Sequence, residues 1–117
     1  KPLAALSLCS DNSIITAISN DFAYEHIFER QVEALGKEND ILIGLSTSGN
    51  STDIVNAFRA AKRKKITTIL FSGERECLIG KLADVGVYFK THDTQLIQEI
   101  YMICIHNICE AIEQIYD

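Results

Sequence analysis

The 117-residue chain has no tryptophan, one proline, one methionine and six glycines. Proline and glycine this scarce exclude collagen-like and proline-rich linker architectures. Positive charge is short too: 11 Lys and Arg against 16 Asp and Glu give a net charge of −5. Such a chain has no general attraction for nucleic acid or anionic membranes, so neither is expected as a partner. No apolar stretch approaches the roughly 18 residues of a membrane span, and a soluble protein is expected. There is no initiator Met, basic n-region or signal peptide. Lys1-Pro2 leads straight into an apolar run, which reads as a chain entered in its middle. The four cysteines, Cys9, Cys77, Cys104 and Cys109, show neither CxxC pairing nor zinc-finger spacing. Each lies in or beside an apolar run, so the expectation is buried free thiols in a reducing cytoplasm.

What is present is ordinary globular material, 47 % hydrophobic and 23 % charged, which excludes disorder and suits one small domain. Apolar runs at Leu3–Cys9, Ile41–Leu45, Ile66–Phe71 and Val85–Phe89 predict four strands. Between them, helical spacing predicts a short helix around Ile14–Ile18 after the cap cluster Ser10–Ser13. It also predicts helices at Tyr24–Leu35 stopped by Gly36, at Thr52–Arg63, over Glu76–Ala83, and at Asp93–Tyr116. The strands are continuously apolar rather than alternating, as when helices cover both faces of a parallel sheet. The fold class is therefore α/β, a doubly wound parallel sheet flanked by helices.

The last helix is apolar round most of its circumference, from Ile97 through Tyr101, Ile105 and Ile108 to Ile115. Such a helix must be covered on nearly all sides, and this chain has too little other material to do so. Another subunit or further segments of the same protein are expected to cover it. Set into it are Gln98, Glu99, His106 and Asn107, groups costly to bury unless paired or functional.

The loop Ser46-Thr47-Ser48-Gly49-Asn50-Ser51 lies between a buried strand and a helix. Ligands of doubly wound sheets gather at the carboxyl ends of strands, and a helix N-terminus favours an anion. Hydroxyls at Ser46, Thr47, Ser48 and Ser51 add donors, and Gly49 permits a tight path. The loop has no lysine and no Walker A pattern, so the reading is a monoester phosphate rather than a nucleotide triphosphate. The plain alternative is a hydrophilic loop in which Ser51 merely caps the helix. Lys62-Arg63-Lys64-Lys65 ends a helix, where cations complement the dipole. His26 and His92 read as solvent-side or turn residues.

The segments LIGLSTSGNSTDIVNA, ITAISNDFAYEHIFERQVEALG and IQEIYMICIHNICEAIE resemble the sugar isomerase (SIS) domain of the phosphoheptose isomerases. The resemblance runs along essentially the whole chain. It implies a flavodoxin-like SIS domain over residues 1–117, the C-terminal two-thirds of a single-domain protein. The activity implied is interconversion of sedoheptulose 7-phosphate and D-glycero-D-manno-heptose 7-phosphate. That is the first step towards ADP-heptose, a lipopolysaccharide or capsule precursor. By the same resemblance Ser46, Thr47, Ser48 and Ser51 bind the substrate phosphate, and Asn20 and Asp21 contact substrate. Gln98 touches substrate and a zinc ion, and His106 ligates the zinc and performs acid/base work. A cytoplasmic homotetramer with one zinc per subunit is implied.

Gln98 and His106 stand eight residues apart, about two turns, which suits a shared helix face. An imidazole is a good zinc ligand and a glutamine carbonyl a weak one, so two more ligands are needed. The resemblance implies that relatives carry an N-terminal helical segment, a first strand, and a GNGGS-type loop followed by a His and a Glu that supply the other metal and catalytic groups. These have no counterpart here, so the remaining zinc ligands are expected in a missing N-terminal part. Tyr101 stands where some relatives have another histidine, and Ser72–Cys77 replaces a glycine-rich turn. Two other members of the superfamily are alternatives: a non-catalytic protein binding a replication initiator, and a sugar-phosphate-sensing module. The first tends to carry arginine for the middle serine and asparagine for the helix histidine. Ser48 and His106 are intact, which favours the enzyme.

Overall fold

The computed structural model describes residues 1–116. Asp11 caps helix α1 (Asn12–Asp21), its carboxylate accepting from Ile14 N–H at 3.1 Å. The expected helix over 24–35 is divided. A 3-10 turn, Tyr24–His26, feeds helix α2 (Ile27–Leu35). Strand β1 (Ile41–Leu45), helix α3 (Thr52–Arg63), strands β2 (Thr67–Ser72) and β3 (Val85–Tyr88) and helix α4 (Thr94–Tyr116) follow.

The three strands form a parallel sheet in the order β1-β2-β3. Gly44 of β1 lies opposite Leu70 of β2, and Leu70 opposite Gly86 of β3. Period-2 alternation sends Leu42, Gly44 and Leu70 to one face and Ile43, Ile69, Phe71 and Val87 to the other. On the first face α3 inserts Phe58, fully buried, against Leu70, with Leu42, Val55 and Ile79 around it. It comes so close to β1 that a Cβ on Gly44 would stand 2.6 Å from the Phe58 ring. α2 backs onto α3 through Val32, Ala57, Ala60 and Ala61. On the second face α4 lays Ile97, Tyr101 and Cys104 over Ile69, Phe71, Val87 and Phe89. Helices thus cover both faces, as the continuously apolar strands require.

Two expected elements do not form. Leu3–Cys9 is not a strand but irregular chain, with Leu3 47 % and Leu6 66 % exposed. A strand needs a neighbour for its backbone groups, and among the described residues no segment pairs with this one. It is held instead by Gln31, which donates to Leu8 C=O at 3.0 Å. Residues 76–83 make turns, not a helix. The N–H groups of Leu78 and Ile79 are drawn off by Asn50 Oδ1 and Gly49 C=O. Among the described residues the sheet therefore has three strands, not four.

The outer edge of β1 has no partner among the described residues, and its second face is bare: Ile41, Ile43 and Leu45 are 63, 45 and 42 % exposed. α4 is likewise uncovered beyond its first turns, with Met102, Ile103 and Ile115 more than half exposed. All four cysteines are free, but only Cys77 is buried; Cys9 and Cys109 are exposed. The basic end of α3 and the lysine beyond it are paired: Lys62 to Asp84, Arg63 to Glu29 and Glu33, Lys65 to Glu38. Among the described residues no helix is long and apolar enough to cross a membrane.

Candidate functional site

The strand β1 ends at Leu45, and the next six residues turn the chain into α3. Ser46, 5 % exposed, continues the ladder by donating its N–H to Phe71 C=O at 3.0 Å. Its hydroxyl accepts from Gly49 N–H at 3.0 Å and lies 3.4 Å from Ser51 Oγ. Gly49 closes the turn at φ +67°, the left-handed region that glycine enters without cost. A side chain there would run into Cys77, which packs directly beneath. Ser51 occupies the N-cap of α3, yet its side chain makes no capping bond. The plain capping role is therefore not what its hydroxyl does. It faces Ser46 across the mouth of the loop.

All four hydroxyl residues lie between the carboxyl end of β1 and the amino end of α3, where backbone N–H groups and the helix dipole favour negative charge. Ser46 and Ser51 face each other, and Thr47 and Ser48 are turned to a cleft of about 440 Å³. Thr47, Ser48 and Asn50 form one wall, Glu74, His92 and Ile97 the other. His92 Nδ1 lies 2.7 Å from Glu74 Oε1 at the rim. His92 is solvent-side, its side chain 90 % exposed, and His26 closes the 3-10 turn, half-buried between Glu25 and Glu29. Its contact is the chief cause holding the Glu29 carboxyl below the ordinary range.

Among the described residues no hydrogen bond and no shared cleft joins the other expected site residues to this loop, although Ile97, next to Gln98, lines the cleft. Asn20 and Asp21 end α1, exposed and joined to each other by an amide–carboxylate bond of 2.9 Å. Asp21 borders a separate cleft with Phe22, His26, Glu29 and Arg30. Gln98 and His106 are both exposed on α4, about 12 Å apart along its axis. Glu99 is exposed as well. Among the described residues no three His, Cys, Asp or Glu side chains converge on one point. One imidazole and a distant glutamine amide do not make the four-ligand zinc site implied by resemblance. The groups of this chain alone do not fit that ion.

Three contributors were not anticipated. Asn50, the one residue of the loop between Ser46 and Ser51 with neither hydroxyl nor turn role, bonds both Ser48 C=O and Leu78 N–H. Cys77 fills the space under Gly49. Tyr101, 6 % exposed, donates its hydroxyl to Phe71 C=O at 3.1 Å, and burial pushes its pKa up. Only the apolar context of Cys77 and Tyr101 was visible locally; their partners lie about 30 residues away in the chain.

Comparison with known proteins matches this geometry to a family. A model of the SIS domain matches residues 1–73. The chain is 45 % identical over 114 residues to a phosphoheptose isomerase of Helicobacter pylori strain Shi470, covering 97 % of this chain and 59 % of the relative. It is 46 % identical over 110 residues to a phosphoheptose isomerase of a Bradyrhizobium strain, covering 94 % and 56 %. The solved phosphoheptose isomerase of Francisella tularensis superposes with a TM-score of 0.93 at 32 % identity, over 97 % of this chain and 61 % of that one. That of Neisseria gonorrhoeae gives 0.92 at 37 %, over 95 % and 62 %. The chain spans about three-fifths of the length of these relatives. With the sheet order, the strand–loop–helix path at Ser46–Ser51 and the family match all in agreement, the chain belongs to the SIS domain family.

Proposed function

We propose that this chain carries the phosphate loop and one acid/base group of a phosphoheptose isomerase. The reaction interconverts sedoheptulose 7-phosphate and D-glycero-D-manno-heptose 7-phosphate in the cytoplasm, towards a heptose precursor of lipopolysaccharide or capsule. The observation that carries the reading is the cluster at Ser46–Ser51. There a serine at the N-cap of α3 leaves its hydroxyl free of capping and turned to Ser46, at 3.4 Å.

The chemistry asks little of the phosphate itself. A proton leaves C1 of the ketose and O2 takes one up to give the C1–C2 enediol; a proton is then delivered to C2 as O1 gives one up. The non-reacting phosphate anchors the far end, and its binding energy positions the reacting carbons. Ser46, Thr47, Ser48 and Ser51 hold that phosphate. Asn20 and Asp21 hold sugar hydroxyls, Gln98 orients the sugar, and His106 moves a proton. Because Asp21, the phosphate loop and His106 stand apart in one chain, the site is completed by assembly as a homotetramer, with the bare apolar face of α4 in the interface. The non-catalytic alternatives are not favoured: Ser48 and His106 are retained, and the matched relatives are isomerases.

The test is kinetic, in the full-length protein. Ser48→Ala and Ser51→Ala should each raise KM for sedoheptulose 7-phosphate roughly 10- to 100-fold, as loss of a hydrogen bond to a charged group does. His106→Asn should lower kcat ~10²–10⁴-fold with assembly intact. Unchanged KM in both serine variants removes the phosphate assignment, and near-normal kcat in His106→Asn returns that residue to packing.

A further inference from the structure

A second loop grips the phosphate loop from beneath. Gly73 N–H donates to Thr47 C=O at 3.1 Å, and Ile79 N–H to Gly49 C=O at 3.0 Å. Leu78 N–H donates to Asn50 Oδ1 at 2.9 Å. The same Asn50 side chain donates through Nδ2 to Ser48 C=O at 3.1 Å. Its backbone N–H meets Ser48 Oγ at 3.3 Å. One amide thus fastens the residue carrying the middle hydroxyl to a loop 28 residues further along the chain.

The need for such a fastening follows from Gly49. A glycine in the left-handed region is free to leave it, and a loop that must be ordered on binding gives up affinity in proportion. Resting on the reading of Ser46–Ser51 as the phosphate site, we infer that Asn50 is a positioning residue which, through Leu78 N–H and Ser48 C=O, holds that loop in its binding shape before phosphate arrives. Asn50 is exposed, so water replaces its bonds when it is removed and the fold loses little. What is lost is preorganisation of the Ser48 hydroxyl. The departure from a glycine-rich turn at Ser72–Cys77 thereby gains a purpose: the chain there is a fixed platform for the neighbouring loop.

The experiment titrates the full-length protein with inorganic phosphate by calorimetry and measures KM and kcat for sedoheptulose 7-phosphate. The variants are Asn50→Ala, Leu78→Pro, their combination, Ser48→Ala and Ser51→Ala. Asn50→Ala should weaken phosphate binding and raise KM roughly tenfold, the worth of one or two neutral hydrogen bonds. Its kcat should stay within about twofold, as when only uniform binding is lost. Leu78→Pro, which removes the N–H, should match it, and the double variant should be no worse than either. Unchanged phosphate affinity in Asn50→Ala, with affinity lost in the serine variants, overturns the inference and leaves the phosphate site standing. Unchanged affinity in all of them overturns both. If Leu78→Pro does not fold, Asn50→Ala decides alone.

Discussion

Tyr101 on α4 and Ser46 in the loop after β1 share one acceptor. Phe71 C=O takes the Tyr101 hydroxyl at 3.1 Å and the Ser46 N–H at 3.0 Å. The helix that bears Gln98 and His106 is thereby moored to the base of the loop that bears the serines. Tyr101→Phe keeps the ring edge-on to Phe71, at 6.3 Å and 77°, and deletes only the donor. It should cost about 0.5–1.5 kcal/mol in denaturant melts. An unchanged midpoint would show that the bond adds nothing to the fold.

Gly49→Ala meets two penalties. An L-residue at φ +67° costs about 1–2 kcal/mol, and its Cβ would press on Cys77 and stand 2.9 Å from Ser72 Oγ. Phosphate affinity and stability should both fall. Adding Cys77→Ala should restore part of the stability, because it relieves the collision and not the backbone. Full restoration by Cys77→Ala would mean that φ is no constraint here.

Asp84 predicts a pH dependence. Lys62 bonds one carboxylate oxygen at 2.7 Å, and the N–H and hydroxyl of Thr68 bond the other, each at 2.8 Å. Lys62 first, then Thr68, draws its pKa down to about 2. A depressed folded-state pKa contributes stability above the unfolded value, near 4, and loses it as pH falls towards 2. With the side chain 42 % exposed, solvent screening leaves about 1 kcal/mol or less. Asp84→Asn should therefore trail the unmodified protein by a constant margin above about pH 5, and the margin should close by about pH 2. A margin that stays constant to acid would separate the residue from the effect.

The exposed apolar face of α4 predicts self-association. Ile103, 60 % exposed, should be covered in the oligomer. Ile103→Glu in the full-length protein should shift light scattering at micromolar concentration towards smaller species, since a charge would be buried without a partner. An oligomer indifferent to this change would place the interface elsewhere.

How much of this was legible depended on how local each cause is. Thr52–Arg63 forms the helix its spacing predicts, because Val55, Ala57, Phe58 and Ala61 both set the period and fill the core. The loop hydroxyls were legible because strand, loop and helix are consecutive. Leu3–Cys9 has the composition of a buried strand, but a strand exists only beside another, and composition does not report the neighbour. Leu78, Ile79 and Leu82 have helical spacing, yet the Ile79 N–H, the first that a helix from Glu76 would use, goes to Gly49 C=O instead. Asn50 and Tyr101 escaped notice for the same reason: each acts on a partner about 30 residues away in the chain.

The free edge of β1 sets the colloidal behaviour of this polypeptide when it is handled by itself. Natural sheets blunt their margins with lysine, proline, a bulge or an inward charge; Ile41–Leu45 has none of the first two, and its pairing with β2 runs in unbroken register. Its outer backbone groups are a ready ladder, and Ile41, Ile43 and Leu45 offer a sticky side to whatever extended segment joins it. A segment of the same molecule that adds itself there would complete the sheet; without one, concentrated solutions of the chain are expected to grow by strand addition and cloud.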